Sequence, residues 1–145
     1  MHVNKALLIL VIVVTVPVLV ATLVRASGDW HPIGQTAAGD TVSVSSVHRL
    51  KSGQRTALVR VQYKAPTELL PRELSPGGPF VEMRAFVRFH CADRTAFPAT
   101  EWFYARDRNG RIVVTHKITQ DDQFGQASEG GFAQLVSDSV CGPRQ

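Results

Sequence analysis

The chain has 145 residues, a net charge of +4, 44% hydrophobic and 19% charged residues. That balance excludes a disordered chain. Its two cysteines exclude both a dense disulfide framework and a four-thiolate zinc site.

Ala6–Val24 carries no charge. At ~1.5 Å per residue a helix of that length spans ~28 Å, close to a bilayer core. Lys5 precedes it as a short basic region. Val24-Arg25-Ala26 follows, with small residues placed for a cut before Ser27. Residues 1–26 therefore read as a secretory signal peptide. The stretch is longer than a usual signal core, so an uncleaved N-terminal membrane anchor is the alternative. Both readings export residues 27–145 as a single domain, to the periplasm or cell envelope. No cysteine lies near the cut, so a diacylglyceryl-cysteine anchor is excluded. Without Lys5 and Arg25 the chain keeps 14 basic and 12 acidic residues, a net of +2. That mild bias does not point to nucleic acid.

An exported domain meets oxidising conditions, where Cys91 and Cys141 are expected to pair. Closing a loop of that size is worth ~4 kcal/mol in the chain-entropy model. Two inert buried thiols are the alternative.

Asp29–Gly34 predicts a short strand leading into a turn, with Trp30 as a core plug. Asp40–Val44 predicts a second short strand, with Val42 and Val44 alternating inward. Ser45-Ser46 predicts a turn, as does Lys51–Gln54 around Gly53. Arg55–Tyr63 alternates Ala57, Val59, Val61 and Tyr63 against Leu58, Arg60 and Gln62, the pattern of an antiparallel strand with one wetter side. Ala65–Pro79, with four prolines and Gly77-Gly78, predicts a loop in which Leu69 and Leu70 form a turn of helix.

Val81–Cys91 is the most regular strand. Val81, Met83, Ala85, Val87, Phe89 and Cys91 share one face; Glu82, Arg84, Phe86, Arg88 and His90 share the other. Ala99–Arg108 and Arg111–Thr119 predict a hairpin across Asn109-Gly110 in a type I′ turn. That register sets Ala105 opposite Val114 and Phe103 opposite His116. Gln120–Ser128 predicts a polar loop. Phe132, Leu135, Val136 and Val140 recur at helical spacing, with a cap at or before Ser128 and an end at Gly142-Pro143. At 100° per residue Cys141 lies about 180° from Phe132, so the helix is expected to stop or bend before Cys141. The sum is an α+β domain: five or six antiparallel strands, one C-terminal helix packed on them, and one disulfide.

Few chemical motifs stand out. His90-Cys91 pairs an imidazole with a thiol, but adjacent strand residues point to opposite faces. No Gly-x-Ser-x-Gly elbow is present. Gly125–Gly130 lacks the Gly-Lys-Ser/Thr of a phosphate-binding loop and reads as a flexible lead into the helix. His31, His48, His90 and His116 are scattered, without metal-ligand spacing. Asp121-Asp122 lacks a calcium-loop pattern. Neither a cofactor nor a catalytic set is expected. The candidate partner-binding feature is basic: Arg84, Phe86, Arg88 and His90 as an exposed row, and Arg106, Arg108 and Arg111 crowding the hairpin tip. The alternative pairs these cations with Glu82, Glu101 or Asp107 on an ordinary solvated surface.

Several segments, read in order, resemble the surface-adhesin protein E-like domains of Gram-negative bacteria. They are Trp30-His31-Pro32-Ile33-Gly34, Val42–Arg49 ahead of Gly53, Val59–Lys64, Arg84–Arg94 and Ala133–Gly142. The resemblance implies an antiparallel sheet, a C-terminal helix, a Cys91–Cys141 disulfide and no enzymatic activity. Named members bind host extracellular-matrix and serum proteins. No set of binding residues carries over. The chain departs from the lipoprotein adhesins in lacking an anchor cysteine, and its proline-rich loop is longer. The expected function is a non-enzymatic, adhesin-like envelope protein whose partner is a host matrix or envelope protein. A periplasmic accessory protein, tethered by residues 6–24, is the alternative.

Overall fold

A computed structural model describes residues 29–68, 79–120, 125–126 and 129–143. The elements are β1 (His31–Gln35), β2 (Thr41–Arg49), β3 (Arg55–Thr67), β4 (Phe80–His90), β5 (Thr95–Arg106), β6 (Ile112–Thr119), β7 (Gly125–Gln126) and α1 (Phe132–Cys141). Strands β1 to β6 pair antiparallel in chain order, and β7 pairs with the start of β5. The α+β architecture and the Cys91–Cys141 bridge are as expected, with Cα atoms 5.4 Å apart.

Alternation places the core. Val42 and Val44 of β2, Ala57, Val59 and Val61 of β3, and Met83, Ala85, Val87 and Phe89 of β4 are all buried. The pairings Val42 with Val61 and Val61 with Met83 carry that face across the sheet, and Val136 and Val140 of α1 join the same cluster. A buried aliphatic or aromatic side chain contributes ~1.5–3 kcal/mol, so this layer carries most of the stability. Phe80, paired with Thr67 beyond a register shift in β3, is also fully buried, its ring 5.2 Å from Phe103.

Several local expectations are corrected. β2 runs nine residues; Ser45-Ser46 is a bulge within it, with Ser46 at φ 53°. β3 continues through Pro66 to Thr67, crossing an irregular stretch where no ladder bond is demanded of the proline. Gly125-Gln126 adds a short strand instead of a free lead. The helix N-cap is Gly131, and Gln134 Oε1 accepts the Gly130 N–H at 2.7 Å. That reach-back ties the residue before the N-cap to the first turn, and among the described residues no side chain caps the helix.

The hairpin turn also differs. Gly110 has φ 76°, but Asn109 is not in the left-handed region, so the turn is not type I′. Gly110 N–H bonds the Asp107 carbonyl at 2.9 Å, and Asp107 N–H bonds the Arg111 carbonyl at 2.8 Å. This is a three-residue loop, with Asp at the first turn position and Gly at the left-handed one. Ala105 therefore faces Val113, and a bulge at Thr115 restores Phe103 opposite His116.

The helix runs to Cys141 without stopping short. Measured from Phe132, Val136 lies at about 40°, Val140 at about 80°, Ser137 at about 140° and Cys141 at about 180°. Val136, Ser137 and Val140 are buried, while Phe132 and Cys141 are half-buried. Cys141 is one rim of a broad packed face that runs through Val140, Val136 and Phe132 to Leu135, so the bridge needs no bend.

The segment Ala6–Val24, the possible cut after Ala26, Leu69-Leu70, Asp121-Asp122 and Ser128 lie outside the described residues. Among the described residues no helix is long and apolar enough to cross a membrane.

Candidate functional site

The sheet face away from α1 is where Arg84, Arg88 and His90 of the predicted basic residues fall. Cross-strand register builds it: Ser43 faces Arg60, Arg60 faces Arg84, Arg84 faces Trp102 and Trp102 faces Lys117. One row on, Gln62 faces Glu82 and Glu82 faces Tyr104. Cations and rings interleave here. Arg60 lies 4.8 Å from the Trp30 ring, and Arg84 lies 5.7 Å from Trp30 and 4.8 Å from Tyr104. Arg88 lies 6.0 Å from Phe97, and Lys117 lies 6.0 Å from Trp102. Such contacts are worth ~0.5–2 kcal/mol, more when desolvated.

Arg84, Phe86, Arg88 and His90 are half-buried, not exposed. Arg84 Nε meets Glu82 Oε1 at 2.6 Å, with the Glu82 side chain only 5% exposed. His90 Nδ1 meets Asp93 Oδ2 at 2.9 Å. Trp30 is corrected from core plug to cover: it lies against Arg60 and Arg84 on this second face.

The predicted tip cluster is a separate region. Arg106 Nη1 donates to the Gly110 carbonyl at 2.8 Å, and Arg111 Nε pairs with Asp107 Oδ2 at 3.0 Å. Asp107 Oδ1 also accepts the Asn109 and Arg111 backbone N–H groups. Those bonds, the Arg111 backbone N–H first among their causes, hold its carboxyl below the ordinary range. The pairing alternative therefore holds for Arg84 and Arg111. Arg108 is exposed and makes no ion pair among the described residues.

Beside the tip lies a feature that residue types alone did not single out. Ile112, Val113 and Val114 of β6 are 44%, 39% and 53% exposed, on the outermost strand of the sheet path. The opposite edge is blunted. β1 has five residues, contains Pro32 and a register shift, and presses Gly34 against Leu135 of α1.

On the helix side, Tyr63, Asp40 and Glu101 form a titratable group. Burial, then the two carboxylates, push Tyr63 well above its usual range. Burial pushes Glu101 up, and a hydrogen bond from Gln120 at 2.6 Å opposes it. Among the described residues no three His, Cys, Asp or Glu side chains gather as a metal site.

No family model, curated protein or solved structure matches the chain.

Proposed function

We propose that this chain is a non-enzymatic, adhesin-like binding protein of the cell envelope that takes a protein partner along β6. The observation that carries this reading is the exposed run Ile112–Val114 on an outer strand, rimmed by Arg106, Arg108 and Arg111. Among the described residues this apolar, β-branched edge is open; such an edge offers backbone groups to an extended segment, and flanking arginines favour one with acidic residues. The disulfide supports export, since such bonds persist in oxidising compartments.

The second reading, an accessory protein tethered at the inner membrane, is favoured by the length of the uncharged stretch Ala6–Val24. Labelling intact cells with a membrane-impermeant reagent and weighing the recovered chain separates the two. A labelled, processed chain supports surface display; an unlabelled chain retaining residues 1–26 supports the tether.

The edge itself is tested with immobilised matrix and serum proteins. Saturable binding is expected, weakened at least tenfold by Val114→Lys and by Arg108→Glu with the circular dichroism unchanged. Binding that survives both substitutions overturns the assignment. A concentration-dependent dimer abolished by Val114→Lys would assign the edge to a second copy instead.

A further inference from the structure

We propose that Arg60, Ser43 and Trp30 form a binding site for a carboxylate group, on the second face of the sheet and three strands away from β6. The site goes beyond the function proposed above and does not depend on it.

Arg60 and Arg84 face each other directly on β3 and β4, an arrangement that is destabilising unless counter-charge is supplied. Arg84 has that supply. Its Nε meets the carboxylate of Glu82, two residues back on the same face, and its guanidinium lies over Tyr104 and Trp30.

Among the described residues Arg60 has the ring without a carboxylate. Its guanidinium lies over Trp30, and the residue opposite Glu82 is Gln62, neutral and exposed. Among the described residues Arg60 Nε is buried with no hydrogen-bond partner. The hydroxyl of its cross-strand neighbour Ser43, on a residue that is 0% exposed, is likewise buried with no partner among the described residues.

Two orphaned donors on directly paired residues, one on a fixed planar cation, call for one shared acceptor. A guanidinium presents its donors in a fork that matches a carboxylate, and a hydroxyl can donate a further bond. The Arg84–Glu82 pair shows the geometry that an incoming carboxylate would reproduce at Arg60. Two sources have that chemistry: an acidic side chain of a protein partner, or a small free carboxylate.

Trp30 reports on the site. The chain has two tryptophans, so Trp102→Phe leaves Trp30 as the sole indole. The purified full chain with that substitution is titrated with sodium succinate, and with sodium chloride at matched ionic strength. A saturable change in Trp30 emission is expected with succinate only. Arg60→Gln should weaken it at least tenfold, and Arg60→Lys less, since a point charge keeps attraction but loses the fork. Gln62→Glu should supply the missing carboxylate internally and abolish the response without lowering the melting temperature.

An equal response to chloride, or an undiminished response in Arg60→Gln, overturns the site. Should Arg60→Gln fail to fold, an undiminished succinate response in Gln62→Glu does the same. A capped Glu-containing peptide that binds tenfold tighter than succinate assigns the site to a protein partner; equal affinity assigns it to a free carboxylate. Val114→Lys should leave the succinate response unchanged, which keeps this result separate from that of the β6 edge.

Discussion

The Arg55 side chain donates to the Val140 carbonyl, so the first residue of β3 is tied to the last turn of the helix. Late helical carbonyls lack intrahelical partners, and a basic side chain is one way to satisfy them. The neighbouring residue Cys141 is bonded to Cys91 just beyond β4. Two different chemistries thus hold the same helix end, one to β3 and one to β4.

Removing the covalent tie should be costly. A Cys91→Ala, Cys141→Ala double variant should lose about 2–4 kcal/mol. Chemical denaturation with and without reductant measures it; wild-type and double variant should coincide under reducing conditions. Identical wild-type curves with and without reductant would remove the disulfide from the stability account.

Core position should outweigh surface position by a wide margin. Phe89 is 0% exposed and Val47 is 47% exposed. Phe89→Ala should cost about 3–5 kcal/mol, through lost burial plus a cavity. Val47→Ala should stay within about 0.5 kcal/mol. Urea midpoints of the two variants test the assigned faces of β4 and β2.

The tip turn should resist a side chain at one glycine. Gly110 has φ 76° and open space around its Cα, so Gly110→Ala meets backbone strain without a clash. A loss of about 1 kcal/mol is expected, while Gly110→Asn should be milder because Asn tolerates the left-handed region. Equal melting temperatures for all three chains would refute the turn geometry.

Acid should weaken the turn after β4. Hydrogen bonds from the Thr95 side chain, then from His90, draw Asp93 from 3.8 down to about 2. Asp93 therefore holds its proton less tightly in the fold than in the unfolded chain. Its contribution is complete above the unfolded value and is lost as pH falls through the folded one. Asp93→Asn should flatten the loss of stability between pH 4 and roughly pH 2, read from denaturation curves across that range. A slope unchanged from wild type would show that Asp93 does not carry it.

Glu101 should act in the opposite sense. Burial raises its carboxyl above the ordinary 4.5, so holding it charged weakens the fold as pH rises beyond that value. Glu101→Gln should raise the melting temperature at pH 7 and give little gain at pH 4. The gain will be trimmed by whatever the Gln120 bond contributes.

The alternation of Ala57–Tyr63 and Val81–Cys91 made the two central strands readable, because a one-residue slip would bury Arg84 and Arg88. The helix was readable from its spacing, although its buried face was centred by Val140 and not by Phe132. Asn109-Gly110 marked the hairpin, yet Asp107 decided its type through three bonds to its carboxylate that a dipeptide signal does not contain. The bulge at Ser46 was hidden because local serine chemistry favours a turn, while strand pairing on both sides overrode it. Arg84, Arg88 and His90 were correctly grouped on one face. Their exposure was not legible, since Glu82, Tyr104, Phe97 and Asp93 reach them through register or through a turn. Arg60 and Trp30 were missed as a pair for the same reason: they are 30 positions apart, and only the fold brings them to 4.8 Å.

The chain closes on itself. Strands β1 to β6 each pair with the one just made, but α1 packs on the first three strands, and Ala37 near the start bonds the Gly130 carbonyl just ahead of the helix. A ribosome therefore releases nearly the whole sheet before the piece that seals its apolar face exists. Until residues 132–141 arrive, Val42, Val59 and Val61 stand without their cover, and Cys91 waits without a mate. Oxidation of that thiol pair is thus a clock for folding of this domain: an enzyme that forms disulfides would find Cys91 and Cys141 together only after the last turn of the helix has come home to the sheet.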